Sequence, residues 1–127
     1  MNSRRTVLVI DDEPGMRATI AAYLEDNDYQ VVQADDGVAG VELFASGKFD
    51  VVVTDLRMSR MDGVEVVTWM KLHSPATPVI VLTGTGDRAA QAEALTRGAR
   101  VCLLKPLTDL ADLDRAIERA LKLPGAR

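Results

Sequence analysis

The sequence predicts an α/β domain in which a parallel β-sheet carries helices on both faces. Five short runs rich in β-branched residues, at positions 6–10, 30–34, 51–54, 79–82 and 101–104, read as strands. The segments between and after them place apolar residues at helical spacing. The two kinds of segment alternate from the first run to the last, and alternation of this kind brings the strands side by side in parallel.

The first run leads into Asp11-Asp12-Glu13, and a helix follows with Met16, Ile20 and Leu24 recurring every four residues. The second run ends in Asp35-Asp36-Gly37, ahead of a helix with Val38, Val41 and Phe44 every three. The third run ends in Asp55; Val64, Val67 and Met70 mark the helix after it. The fourth run ends in Thr83, and an Ala-rich helix with a weak apolar stripe is expected from about Asp87 to Arg97, stopped at Gly98. The fifth run ends in Lys105-Pro106, and Leu110, Leu113, Ile117 and Leu121 form the last apolar stripe. His73 is expected near a helix end without a role, and Trp69 on a helix surface or in the core.

Composition narrows the function classes. A chain of 127 residues, 47% apolar, suits one domain with one core. Residues 1–123 are expected to form it, with 124–127 a tail or the start of a linker. A net charge of -4 argues against a direct nucleic-acid surface. No apolar run approaches the ~20 residues of a membrane span. The apolar stretch from Val7 to Ile10 is too short for a signal-peptide core, and the lone Cys102 precludes an internal disulfide. A soluble, cytoplasmic domain is expected.

In parallel sheets of this kind ligands bind beyond the carboxyl ends of the strands. That rim should gather Asp11, Asp12, Asp55, Thr83 and Lys105. Two carboxylates ~5 Å apart at an effective dielectric of ~20 repel by about 3 kcal/mol. Lys105 offsets part of this for Asp11, Asp12 and Asp55, and a hard divalent cation with oxygen ligands suits the remainder. One His and one Cys, far apart in sequence, offer no zinc site. An aspartate beside such a cation can act as a nucleophile toward phosphorus, with Thr83 and Lys105 binding the phosphoryl oxygens. Each acid also has a plainer reading as a helix N-cap, which fits Asp12, Asp36 and above all Asp87. Gly84-Thr-Gly86-Asp-Arg-Ala89 matches a dinucleotide-binding fingerprint, but it follows the fourth strand, and the next strand ends in Lys105 where an acid is needed.

Five stretches together resemble the receiver domain of bacterial response regulators, the phosphoacceptor half of two-component signalling. They are Val7-Leu-Val-Ile-Asp-Asp12, Val51-Val-Val-Thr-Asp-Leu-Arg-Met58, Met61-Asp-Gly63, Val79-Ile-Val-Leu-Thr-Gly84 and Leu103-Leu-Lys-Pro106. The resemblance implies a flavodoxin-like, doubly wound, five-stranded sheet of order 2-1-3-4-5 with five helices. It implies that Asp55 is the phosphoacceptor, that Asp12 binds Mg²⁺ (or Mn²⁺) directly, and that Asp11 acts through a metal-bound water. Asp55 and the main-chain carbonyl of Arg57 complete the implied metal ligands. Thr83 and Lys105 would bind phosphoryl oxygens, and the Lys105–Pro106 bond would be cis. The implied partners are a sensor histidine kinase or phosphotransfer protein and an output protein or domain. The implied chemistry is the domain's own phosphorylation and dephosphorylation, with no separate substrate.

Two positions depart from the family pattern. Cys102 stands where most receivers carry an aromatic whose rotation follows the threonine, and Ser59 replaces a usual proline. Switching would then rest on Thr83, the loop Gly84-Thr-Gly86 and backbone shifts, with the face of the fourth helix, fifth strand and fifth helix still the output surface. An alternative is an interaction module of the same fold that works without phosphorylation. A metal-dependent phosphohydrolase with an aspartate nucleophile would need a second acid two residues on, where Asp55 is followed by Arg57.

Overall fold

All five predicted strands form, and they pair in one parallel sheet of order β2-β1-β3-β4-β5. The computed structural model describes residues 4–84, 86–105, 107 and 109–122. The elements run β1 (Thr6–Ile10), α1 (Pro14–Asp26), β2 (Gln30–Ala34), α2 (Gly37–Ser46), β3 (Val51–Asp55), α3 (Gly63–His73), β4 (Val79–Thr83), α4 (Arg88–Arg97), β5 (Val101–Leu104) and α5 (Ala111–Lys122). This is the flavodoxin-like order expected from the sequence. β3 and β4 each run one residue further than expected, so Asp55 and Thr83 are strand residues held by the ladder.

Alternation along the strands divides the interior. Leu8, Ile10, Val52, Val79 and Val81 pack on one side with Val66, Val67 and Met70 of α3 and Ala94 of α4. Val7, Val9, Val51, Val53, Ile80 and Leu82 pack on the other side with Ile20 and Leu24 of α1 and Leu113 and Ile117 of α5. β3 and β4 are buried along their whole length, which is why their runs show no polar alternation. Tyr29 closes the second side by donating its hydroxyl to Asp114 at 2.9 Å. Burial, and then that bond, push the tyrosine hydroxyl well up from its ordinary value.

Two expectations on the helices need correction here, in α2 and at the cap of α1. In α2 the sheet-facing residues are Ala39, Gly40, Leu43 and Phe44, while Val38 and Val41 are half-buried outside both clusters. The cause is Gly40: a Cβ there would sit 2.4 Å from Ile10 Cδ1, so the helix approaches the sheet through its small residues. In α3 the expected Val64, Val67 and Met70 all pack on the first side of the core, and Val66 joins them. The cap of α1 is Glu13, which accepts from Met16 N–H, and not Asp12. Gly98 does stop α4, with φ at 126°, where a side chain would be strained. The Lys105–Pro106 bond, Thr85 and the segment 123–127 lie outside the described residues.

Candidate functional site

β1 and β3 are central neighbours in the sheet, and the chain leaves β1 toward β2 on one side and returns on the other. Their carboxyl ends therefore open into a crevice at the point where strand order reverses. Asp11 directly follows β1, Asp55 ends β3, Thr83 ends β4 and Lys105 directly follows β5. Parallel pairing alone brings these four to one rim.

Asp11, Asp12 and Asp55 each place a carboxylate oxygen so that all three lie within 4.8 Å of one another. Asp11 and Asp55 are only 1% and 7% exposed, while Asp12 faces solvent. Lys105 Nζ sits 3.2 Å from Asp55 Oδ2 and 3.6 Å from Asp11 Oδ2. One ammonium thus faces two buried carboxylates. Burial pushes the Asp55 carboxyl above the usual carboxylate range, and the neighbouring Asp11 adds to this. Lys105 and the Leu56 N–H, which donates to Asp55 Oδ1 at 2.9 Å, oppose it.

Asp11 is pinned from several directions. Its Oδ1 accepts from Glu13 N–H at 2.9 Å, and Arg17 donates to its carbonyl at 2.8 Å. Its Oδ2 is buried and has no hydrogen-bond partner among the described residues. A buried carboxylate oxygen left so is costly unless a cation meets it, and the Lys105 ammonium 3.6 Å away is shared with Asp55. Three carboxylate oxygens without a nearby thiol or imidazole match a hard ion such as Mg²⁺ or Mn²⁺. The residues present fit the metal the sequence implied.

The floor of the site is built by α3. Gly63 N–H donates to the Leu56 carbonyl at 2.9 Å, and a Cβ on Gly63 would lie 2.8 Å from Leu56 Cα. Asp62 and Glu65 cap this helix reciprocally, which holds its first turn against the end of β3. Thr83 is fully buried, and its hydroxyl donates to the Gly84 carbonyl at 3.3 Å, a long bond. Lys105 N–H donates to the Thr83 carbonyl at 2.7 Å, which ties the two strand ends together.

Arg57 stands apart. Its side chain turns outward, where Nη2 lies 2.6 Å and Nε 3.2 Å from Asp87. Asp87 occupies the N-cap position of α4, yet its carboxylate makes no capping bond. The expected cap is replaced by the guanidinium. Asp36 does cap α2, accepting from Ala39 N–H at 2.8 Å, and it also pairs with Arg60 at 2.8 Å. Asp35 is exposed and outside the cluster. Cys102 is half-buried against the α3 and α4 side of the core, with its thiol 3.9 Å from the Gln91 carbonyl. Trp69 stacks on His73 with ring centroids 4.1 Å apart.

Sequence reasoning missed Arg17, the steric part of Gly63 and the Arg57–Asp87 pair. Arg17 serves a main-chain oxygen, so no motif marks it.

The family model of the response regulator receiver domain matches residues 7–118. The chain belongs to this family. Regulatory protein AtoC of Escherichia coli (strain K12) is 33% identical over 127 residues, which is 100% of this chain and 27% of AtoC. Transcriptional regulatory protein FixJ of Bradyrhizobium diazoefficiens is 32% identical over 123 residues, 94% of this chain and 60% of FixJ. The receiver spans about a quarter of the length of several curated relatives it matches. Among solved structures, a response regulator receiver domain protein from Clostridium thermocellum superposes with a TM-score of 0.87 at 34% identity, covering 92% of this chain and 94% of that one. Chemotaxis protein CheY4 of Vibrio cholerae does so at 0.87 and 29% identity, covering 94% of this chain and 100% of that one. The protein is thus a receiver domain of two-component response regulators. No helix among the described residues is long and apolar enough to cross a membrane.

Proposed function

We propose that this receiver takes a phosphoryl group onto Asp55 from a histidine kinase, a phosphotransfer protein or a small acyl phosphate. The supporting observation is the buried Asp55 carboxylate, with Oδ2 3.2 Å from Lys105 Nζ and Asp11 Oδ2 3.6 Å from the same ammonium. One Asp55 oxygen attacks phosphorus as the donor's P–N or P–O bond breaks. The bonding pair stays with the donor, and Asp55 becomes an acyl phosphate. Lys105 then moves its charge from a carboxylate oxygen to a phosphoryl oxygen, and Thr83 gives up its long bond to Gly84 for another. Asp11, Asp12, Asp55 and the Arg57 carbonyl would hold Mg²⁺ or Mn²⁺, which supplies positive charge for the phosphoryl oxygens.

In this reading the receiver spans residues 1–123, acts on no substrate beyond its own phosphoryl group and works in the cytoplasm. It exchanges contacts with a kinase and an output protein or domain, without touching nucleic acid or membrane itself. Intact masses of the wild type and Asp55→Asn, taken after incubation with acetyl phosphate and Mg²⁺, test the assignment. One added phosphoryl group in the wild type and none in the variant is the expected result. Equal incorporation in both overturns it.

A further inference from the structure

Four helices of this receiver begin on an acidic N-cap residue: Glu13, Asp36, Asp62 and Asp87. The first three have extended backbones, with ψ of 108°, 173° and 179°, and each side chain accepts a backbone N–H of its helix. Asp87 has ψ of 41° and makes no such bond. Capping requires the extended conformation, so the bent backbone keeps the carboxylate off the helix. That carboxylate is instead held by Arg57, two residues beyond Asp55, at 2.6 Å. Asp87 is 19% exposed at its side chain and Arg57 71%, so a guanidinium largely in solvent pairs with a mostly covered acid.

We propose that the Arg57–Asp87 pair is a latch that holds the start of α4 uncapped, and that a phosphoryl group on Asp55 releases it. This rests on Asp55 being the phosphoacceptor. Phosphorylation replaces a carboxylate shared with Lys105 by a group carrying roughly one further negative charge and extra acceptor oxygens. Arg57 follows Asp55 by two residues, and the added negative charge draws its guanidinium away from Asp87. Asp87 loses its partner, its backbone extends, and its carboxylate takes up the free N–H groups of the first turn of α4. The released helix start differs in position and rigidity from the latched one. No aromatic ring is needed, which suits a receiver that carries Cys102 at that strand position.

Amide hydrogen exchange over residues 88–91 tests this, with β1 and β3 amides as an internal reference for global stability. Three proteins are compared: wild type, Arg57→Ala and Asp87→Ala. Each is measured with Mg²⁺ alone and with acetyl phosphate plus Mg²⁺, and intact mass reports phosphorylation in the same samples. Without phosphodonor, Arg57→Ala should exchange about fivefold more slowly than wild type at 88–91, the effect of one restored N-cap. Phosphorylated wild type should slow similarly, and Asp87→Ala should slow in neither state. Unchanged exchange in unphosphorylated Arg57→Ala overturns the latch. So does slowing in phosphorylated Asp87→Ala. If the wild type gains no mass, the phosphoacceptor assignment fails, while the Arg57→Ala comparison still decides whether Arg57 withholds the cap.

Discussion

A Cβ added to Gly63 would lie 2.6 Å from the main-chain oxygen of Asp55. The contact is with backbone at the end of a fully buried strand, so neither side can yield cheaply. Gly63→Ala should therefore destabilise the domain by about 1–3 kcal/mol. Gly84→Ala, where a Cβ meets nothing within 4 Å, should stay within roughly 0.5 kcal/mol of wild type. Urea unfolding of the two variants checks the contrast. A Gly63→Ala midpoint equal to that of Gly84→Ala would refute the steric account.

Asp55→Asn should stabilise the metal-free protein, and the gain should depend on pH. Burial and Asp11 raise the Asp55 carboxyl in the folded state, so ionising it costs more there than in the unfolded chain. Below the unfolded value, about pH 4, both states are protonated and the substitution relieves nothing of this kind. As pH rises through the folded value the penalty enters and then stays constant. Unfolding free energies measured from about pH 4 to about pH 7 should diverge in favour of the variant. A constant difference over that range contradicts the crowding.

Mg²⁺ should raise stability by meeting the buried Asp11 Oδ2, which accepts no hydrogen bond among the described residues, and its neighbours. At a free concentration about 100 times the dissociation constant, the gain is about 2.7 kcal/mol. Chelation should reverse it. Asp11→Asn should lose most of the response, read as the shift in thermal midpoint with added Mg²⁺. An undiminished shift in that variant places the ion elsewhere.

Lys105→Ala should still gain phosphate from acetyl phosphate, but roughly 10- to 100-fold more slowly, the value of one hydrogen bond to a charged group. Lys105 faces Asp55 Oδ2 directly, so its removal strips one charge from the site while leaving the nucleophile in place. Single-turnover rates from intact mass give the comparison. An unchanged rate removes Lys105 from the phosphoryl site.

The strands were legible because β1, β3 and β4 are continuous apolar runs whose only polar residues come at their ends. The same feature pointed to Asp11, Asp55, Thr83 and Lys105, since a parallel sheet brings the carboxyl ends of all its strands to one edge. α2 was misread for a physical reason. Its contact with Ile10 is made by Gly40, which carries no hydrophobic signal, while the bulkier Val38 and Val41 sit to the side. Asp87 looked like a cap from its neighbours in sequence. The bond is displaced by Arg57, which comes from a different strand end and becomes a neighbour only in the folded chain.

α4 buries one residue, Ala94, whereas α3 buries Gly63, Val66, Val67 and Met70. Nearly the whole outer surface of α4, including Leu95 at 48% exposure, is therefore free of any duty to the core. Substitutions there should drift without harm to folding, so this helix can be rewritten to suit a new partner while the phosphorylation site and its scaffold stay the same.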